Sequence, residues 1–216
     1  MKRLSIRLLS LVGLLVCFGS VQAQDDLQEY VNRASAKTGA NRAPSDITVV
    51  DLSQFTATNR TTTLDVANGK NFRFINGTLT RANSLDGPIM HVGGDSYVEI
   101  ETNAVIDAQN SSSMREAIYM DGGELVVAGG SVCGNNNSQT IGNSVVMTSL
   151  DDKLTVTHNG NSLPGMVSGI IDCIIEAGGA DQIFIEDGSF HTGTADYGAI
   201  NTTASVHVSG PHGNGA

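Results

Sequence analysis

AIYMDGGELVVAGGSV, residues 117–132, reads as a short apolar strand, a glycine turn, a second apolar strand, another glycine corner and the start of a third strand. The same phrase recurs before it as PIMHVGGDSYVEIETNAV (88–105) and after it as CIIEAGGADQIFIEDGSF (173–190). Degraded copies stand at LDVANGKNFRFINGTL (64–79) and AINTTASVHVSG (199–210), with a weaker one over 145–163. Self-similarity at a period of roughly 22–30 residues, with three strands per period, is the signature of a β-solenoid.

Aligning the copies predicts columns of stacked side chains. Leu64, Ile89, Ile118, Val145, Ile174 and Ile200 form one, and Gly69, Gly94, Gly123 and Gly179 a turn column. Phe74, Val98, Val126 and Ile185 belong to the second strand, and Leu79, Val105, Val132 and Phe190 start the third. About six coils result, with apolar columns inside and Asp, Glu, Ser and Thr alternating towards water. Glycine recurs where the chain turns with positive φ or packs closely. Asn83, Asn110 and residues 135–137 follow third strands, where Asn caps turns by bonding local backbone.

The chain of 216 residues has a sizeable apolar core to bury and no long proline-rich or highly charged stretch. Its formal charge is −10. An acidic surface repels phosphate backbones, so nucleic acid is excluded as a partner. The first 23 residues have a basic start, an apolar run from Leu8 to Phe18 and a Val21-Gln22-Ala23 ending, which predicts a secretory signal peptide cleaved after Ala23. Val16 is a poor neighbour for lipidation at Cys17. The mature chain has no further run long enough to span a membrane, so an extracellular, cell-surface or periplasmic location is expected. Residues 24–46 hold the one convincing helix, over 25–37, with Leu27, Tyr30, Val31 and Ala34 on one stripe and Gly39 to end it. Such a helix covers the exposed core and open strand edges of a first coil. The solenoid itself is expected over 47–216, and residues 205–216 read as an unfinished coil of a longer protein.

The repeated G-G-x-h-x-h-x-x-G-x-h phrase resembles the right-handed parallel β-helix of the pectin-lyase-like superfamily. It is closest in flavour to the glycine-rich repeats of bacterial surface and autotransporter-type proteins. The resemblance implies an all-β, right-handed parallel β-helix with an N-terminal capping helix. It also implies, for the enzymes of that group, polysaccharide substrates, clustered acids with calcium and an Arg or Lys base, or an aspartate trio with G-H-G. No such motif stands here: His212 lies between Pro211 and Gly213 in GPHGNG. After Arg81 the only cationic side chains are Arg115, in the Ser-rich turn SSSMRE, and Lys153. Arg115 is thus the one candidate base, against a plain reading as an exposed turn arginine.

The carboxylates form loose groups: Glu99, Glu101 and Asp107; Asp121 and Glu124; Glu176, Asp181, Glu186 and Asp187, followed by His191 and Asp196. Stacking across coils allows an acid pair within catalytic reach, with Asp181, Glu186 and Asp187 the best candidates. It also allows a Ca2+ site, although the EF-hand and nonapeptide signatures are absent. The plain reading is a solvated strand face. Tyr97, Tyr119 and Tyr197 are the candidate ligand-binding aromatics in a chain without Trp. Tyr119 follows Ile118 on a strand and so points outward if Ile118 points in. The five histidines are scattered without metal-site spacing and read as surface or turn residues, and no metal is assigned. Cys133 and Cys173 fall at different strand positions and read as two buried thiols. The leading expectation is a non-catalytic adhesin-like or carbohydrate-contacting module whose partner is a polysaccharide or a surface protein. A polysaccharide lyase or glycoside hydrolase, and a structural stalk, are the alternatives.

Overall fold

A computed structural model describes residues 26–36, 44–56, 58–108, 116–134, 136–137, 140–158, 164–168, 170–173, 183–186, 189–191, 200–202 and 206–209. The chain winds into a β-solenoid with three parallel sheets of six, seven and six strands. The sheets are named here by their order within a coil. The leading sheet contains Leu64–Val66, Met90–Gly93, Ile118–Asp121, Asn143–Met147, Ile170–Cys173 and Ile200–Thr202. The middle sheet runs from Thr48–Asp51 through Asn71–Ile75, Tyr97–Glu101, Glu124–Ala128, Lys153–Thr157 and Ile183–Glu186 to Val206–Ser209. The closing sheet joins Asn59–Arg60, Gly77–Arg81, Ala104–Asp107, Ser131–Cys133, Met166–Ser168 and Ser189–His191. Between Leu64 and Ser168 four successive coils carry all three strands with their side chains described, fewer than the expected six.

Period-two alternation puts one face of every strand inside. Phe72, Val98, Leu125, Leu154 and Ile183 stack in one column of the middle sheet, all fully buried. Phe74, Ile100, Val127 and Val156 stack in the next. Burying each such side chain is worth about 1.5–3 kcal/mol, so a one-residue slip, which turns a whole strand inside out, is strongly penalised. That period corrects four column assignments. Met90, not Ile89, stacks between Leu64 and Ile118. Ile106, not Val105, stacks between Leu79 and Val132. Val126 pairs with Glu99 and Thr155 in an outward row. Ile171, three residues before Ile174, pairs with Val145, because the fifth leading strand is Ile170–Cys173 and not the CIIEAGG copy. An apolar run with no polar alternation cannot reveal its inward face by composition.

The paired glycines divide the work at each corner. Gly122 adopts φ 82° and Gly129 φ 83°, in the left-handed region. Their neighbours Gly123 and Gly130 are required by packing: a Cβ on Gly123 would sit 2.7 Å from Val92 Cγ1 and 2.9 Å from Val92 O. Asn83 lies in the turn after the closing strand Gly77–Arg81, as expected, and asparagine also serves other corners. Asn68, Asn76 and Asn103 take positive φ ahead of the middle and closing strands. Asn136–Asn137 instead pairs with Thr140–Ile141 in a small antiparallel ribbon between coils, while Asn110 and Asn135 lie outside the described residues.

The N-terminal helix, α1 (Asp26–Arg33), is shorter than the expected 25–37, and Gly39 lies outside the described residues. Leu27 and Val31 are buried in the core, while Tyr30 stays at the surface against Phe55, ring centroids 5.4 Å apart. Gln28 completes the cap in the manner of an added strand. Its Nε2 donates to Asp65 O (3.1 Å) and its Oε1 accepts from Asp65 N (2.8 Å). The first leading strand thereby has its backbone edge satisfied by a side-chain amide. Asp26 accepts from Thr56, and Lys70 Nζ donates to the carbonyls of Val31 and Asn32 at the helix C-terminus. No helix among the described residues is long and apolar enough to cross a membrane.

Candidate functional site

With the interior filled, chemistry falls to the outward rows. On the middle sheet Val98 and Ile100 point in, so Tyr97, Glu99 and Glu101 point out. Arg73, in register with Glu99 on the preceding coil, closes this cluster. Its Nε donates to Glu99 and lies 3.3 Å from Glu101 Oε1, while the Tyr97 hydroxyl donates to Glu99 from the other side. Glu99 is only 5% exposed, and each of its two oxygens is taken by one of these partners. The hydrogen bond to Glu99 pushes the Arg73 guanidinium further up. Burial raises the Glu101 carboxyl; Arg73 pulls it down and Glu99 pushes it up again. The expected Glu99–Glu101 grouping is therefore real, but Asp107 does not join it. Asp107 lies on the closing sheet, in register with Thr80 and Cys133.

Further along the same face, Glu124 and Lys153 sit in the row that runs through Tyr97, with Lys153 Nζ 3.4 Å from Glu124 Oε1. The Lys153 ammonium also lies 5.0 Å over the Phe184 ring, and Phe184 faces His207 at 6.0 Å. Glu186 is exposed on this face. The other catalytic candidates, Asp181, Asp187 and Arg115, and the aromatic candidate Tyr197 lie outside the described residues. Asp121 is exposed at the end of its leading strand, apart from Glu124 across the glycine corner.

The leading sheet carries a second outward row of Asp65, His91 and Tyr119. Ile118 is buried and Tyr119 half-buried, as alternation requires. His91 Nδ1 is 2.8 Å from Asp65 Oδ1, and its ring lies 5.7 Å from that of Tyr119. Its Nε2 is buried without a hydrogen-bond partner, pressed against Gly93, where an added Cβ would sit 2.8 Å away. With Nδ1 against Asp65 and Nε2 buried, the ring is held in place and turns no free nitrogen outward for proton transfer. This histidine is a paired strand residue, not the surface or turn residue its spacing suggested. Among the described residues no group of three or more His, Cys, Asp or Glu comes together to hold a metal ion.

Two further polar sites escaped sequence reading. In the fourth coil the glycine corner is replaced by Thr148–Asp152, and Asp152 is 1% exposed. Its Oδ1 accepts from Gly122 N (2.8 Å) and Gly123 N (3.1 Å) of the preceding coil. Its Oδ2 accepts from Thr148 N and Ser149 N, both at 2.8 Å. Burial pushes this carboxyl up, and the four N–H donors pull it down. The Thr-Ser-x-x-Asp order before a strand was the available signal. Arg81, also buried, donates to the carbonyls of Gly87 and Glu116 and so ties two closing-to-leading loops together. Cys133 is a buried free thiol, raised to about 11 by burial and then by Asp107. Cys173 lies on the leading sheet, away from the closing sheet of Cys133.

Comparison of the chain with protein-family models, with curated proteins and with solved structures returned no match.

Proposed function

We propose that this chain is an exported, non-catalytic β-helical module, adhesin-like in character, that contacts carbohydrate along the outer rows of its coils. The observation that carries this reading is the state of Glu99 and Glu101. Strand alternation sets two acids on one face, but Arg73 of the preceding coil bridges both and Tyr97 occupies Glu99. An acid pair engaged in this way holds coils in register and is not poised to give or take a substrate proton. The side chains that remain accessible are of the kind a sugar surface uses: rings flanked by hydroxyls, carboxylates and an ammonium group. The glycine-corner repeat and the capping helix further support kinship with pectin-lyase-like β-helices. The leader supports delivery to the extracellular, cell-surface or periplasmic space, and a mature N-terminus at Gln24 would be its mark.

The test passes the secreted protein over immobilised neutral and acidic polysaccharides and assays the same mixtures for new reducing ends and unsaturated products. Retention with intact polymer supports the module. Release of fragments that tracks the protein and is lost in Glu186→Gln would refute it in favour of a lyase or hydrolase.

A further inference from the structure

We propose that export leaves this chain with pyroglutamate at position 24, and that closing the terminal glutamine into a ring guards the capping helix. This rests on the reading of the leader as cleaved after Ala23, which makes Gln24 the first residue of the mature chain. A glutamine whose α-amine has been freed carries nucleophile and electrophile in one residue. An α-amine has an ordinary pKa of about 7.7–8.0, so a share of it is uncharged and nucleophilic near neutral pH. That nitrogen attacks the side-chain carboxamide carbon, Cδ. A new N–Cδ bond closes a lactam ring, the Cδ–Nε2 bond breaks, and the proton lost by the amine leaves with the departing nitrogen as ammonia. The step balances without oxidant, reductant or cofactor.

What the ring changes is charge and access. The helix α1 starts at Asp26, two positions after Gln24. A free terminus would put an ammonium within two residues of the positive end of the helix dipole, where a cation is unfavourable. It would also compete for the Asp26 carboxylate. That group accepts from Thr56 N at 3.2 Å and from Thr56 Oγ1 at 3.1 Å, and so ties the start of the helix to the chain between the first middle and closing strands. The lactam is neutral and removes both effects. Access matters because the cap is built from the first few mature residues. Leu27 is fully buried in the core, and Gln28 satisfies the backbone of Asp65. Removal of residues 24–28 alone would take away that anchor and bare the edge of Leu64–Val66. An aminopeptidase needs a free α-amine, and the lactam offers none.

The experiment is mass spectrometry of the N-terminal peptide of the full chain as its own cells secrete it, sampled at harvest and again after storage. The expected peptide begins at residue 24 and is already lighter at harvest, by one ammonia, than the same peptide with free glutamine. A peptide that begins at Gln24 with a free amine at harvest, and closes only on storage or not at all, would overturn the proposal and leave the leader reading standing. A chain that begins elsewhere, or keeps its leader, would overturn both. The role at the cap is read by comparing the secreted protein with two forms that carry a free amine. One is the same protein after pyroglutamyl aminopeptidase, which removes only the ring residue and leaves an amine on Asp25. The other is Gln24→Ser, which cannot close, its start checked by the same mass measurement. Hydrogen exchange at the Asp65 amide should be about two- to fivefold faster in both, and a general aminopeptidase should shorten both but not the untreated chain. Equal exchange with equal resistance would overturn the protective role.

Discussion

Replacing Asp152 by alanine tests how the solenoid tolerates a coil that lacks its glycine corner. One carboxylate accepts four backbone N–H bonds of 2.8–3.1 Å, two from its own turn and two from the corner below. Hydrogen bonds to a charged group are worth about 1.5–3 kcal/mol each. Several kcal/mol of carboxylate desolvation must be set against them. Removing the acceptor takes the carboxylate from all four donors, of which Thr148 N keeps Met120 O at 3.2 Å, and the net loss on Asp152→Ala should be about 3–5 kcal/mol, the range found when one partner of a buried charged contact is deleted. Asp152→Asn should recover less than half of this, because one oxygen becomes an NH2 group facing two N–H donors. Asp151→Ala, at the exposed neighbouring position, should change stability by less than about 0.5 kcal/mol. Urea unfolding followed by circular dichroism measures the stabilities. Native-state hydrogen exchange at Gly122, Gly123, Thr148 and Ser149 reports the four amides directly. A loss below about 1 kcal/mol for alanine, or full recovery by asparagine, would show that the carboxylate does not clasp the two coils.

Gly122→Ala should cost about 1–2 kcal/mol through left-handed strain alone, since the nearest neighbour of its Cβ is 3.7 Å away. Gly123→Ala meets Val92 backbone and should cost more by the same urea titration; the reverse order would refute the division of labour between the two glycines. In the cap, Leu27→Ala should cost about 2–5 kcal/mol and Gln28→Ala about 1–2 kcal/mol, with faster exchange of the Asp65 amide in both. For Cys133, raised to about 11, the folded thiol stays protonated where the unfolded one ionises. Its contribution to stability is full below the unfolded value of about 8.5 and is lost as pH rises towards the folded value. Site-resolved alkylation by mass spectrometry at pH 8 should find Cys133 unreactive until the protein is unfolded, and rapid native labelling would contradict its burial.

The repeat of short apolar segments and glycine pairs was enough to determine a solenoid with three strands per coil, because each Gly-Gly pair meets a local backbone demand. One residue of the pair takes positive φ and the other leaves room for a neighbouring coil. The capping helix was legible for the same local reason, from Leu27 and Val31 on one stripe. Register was not. Val126 and Val127 are chemically alike, and only the stack below them selects Val127 for the core and leaves Val126 beside Glu99. The outward chemistry is likewise a product of stacking. Arg73 reaches Glu99, and His91 reaches Asp65, across 26 positions of sequence, a distance no local pattern spans. For Asp152 the local order Thr-Ser-x-x-Asp marks only the bonds within its own turn, and winding adds the glycine corner of the previous coil. Local conformational requirements are written in the neighbouring residues, whereas partners across coils follow from the number of residues in each turn, which varies from coil to coil and is settled only when the apolar columns pack.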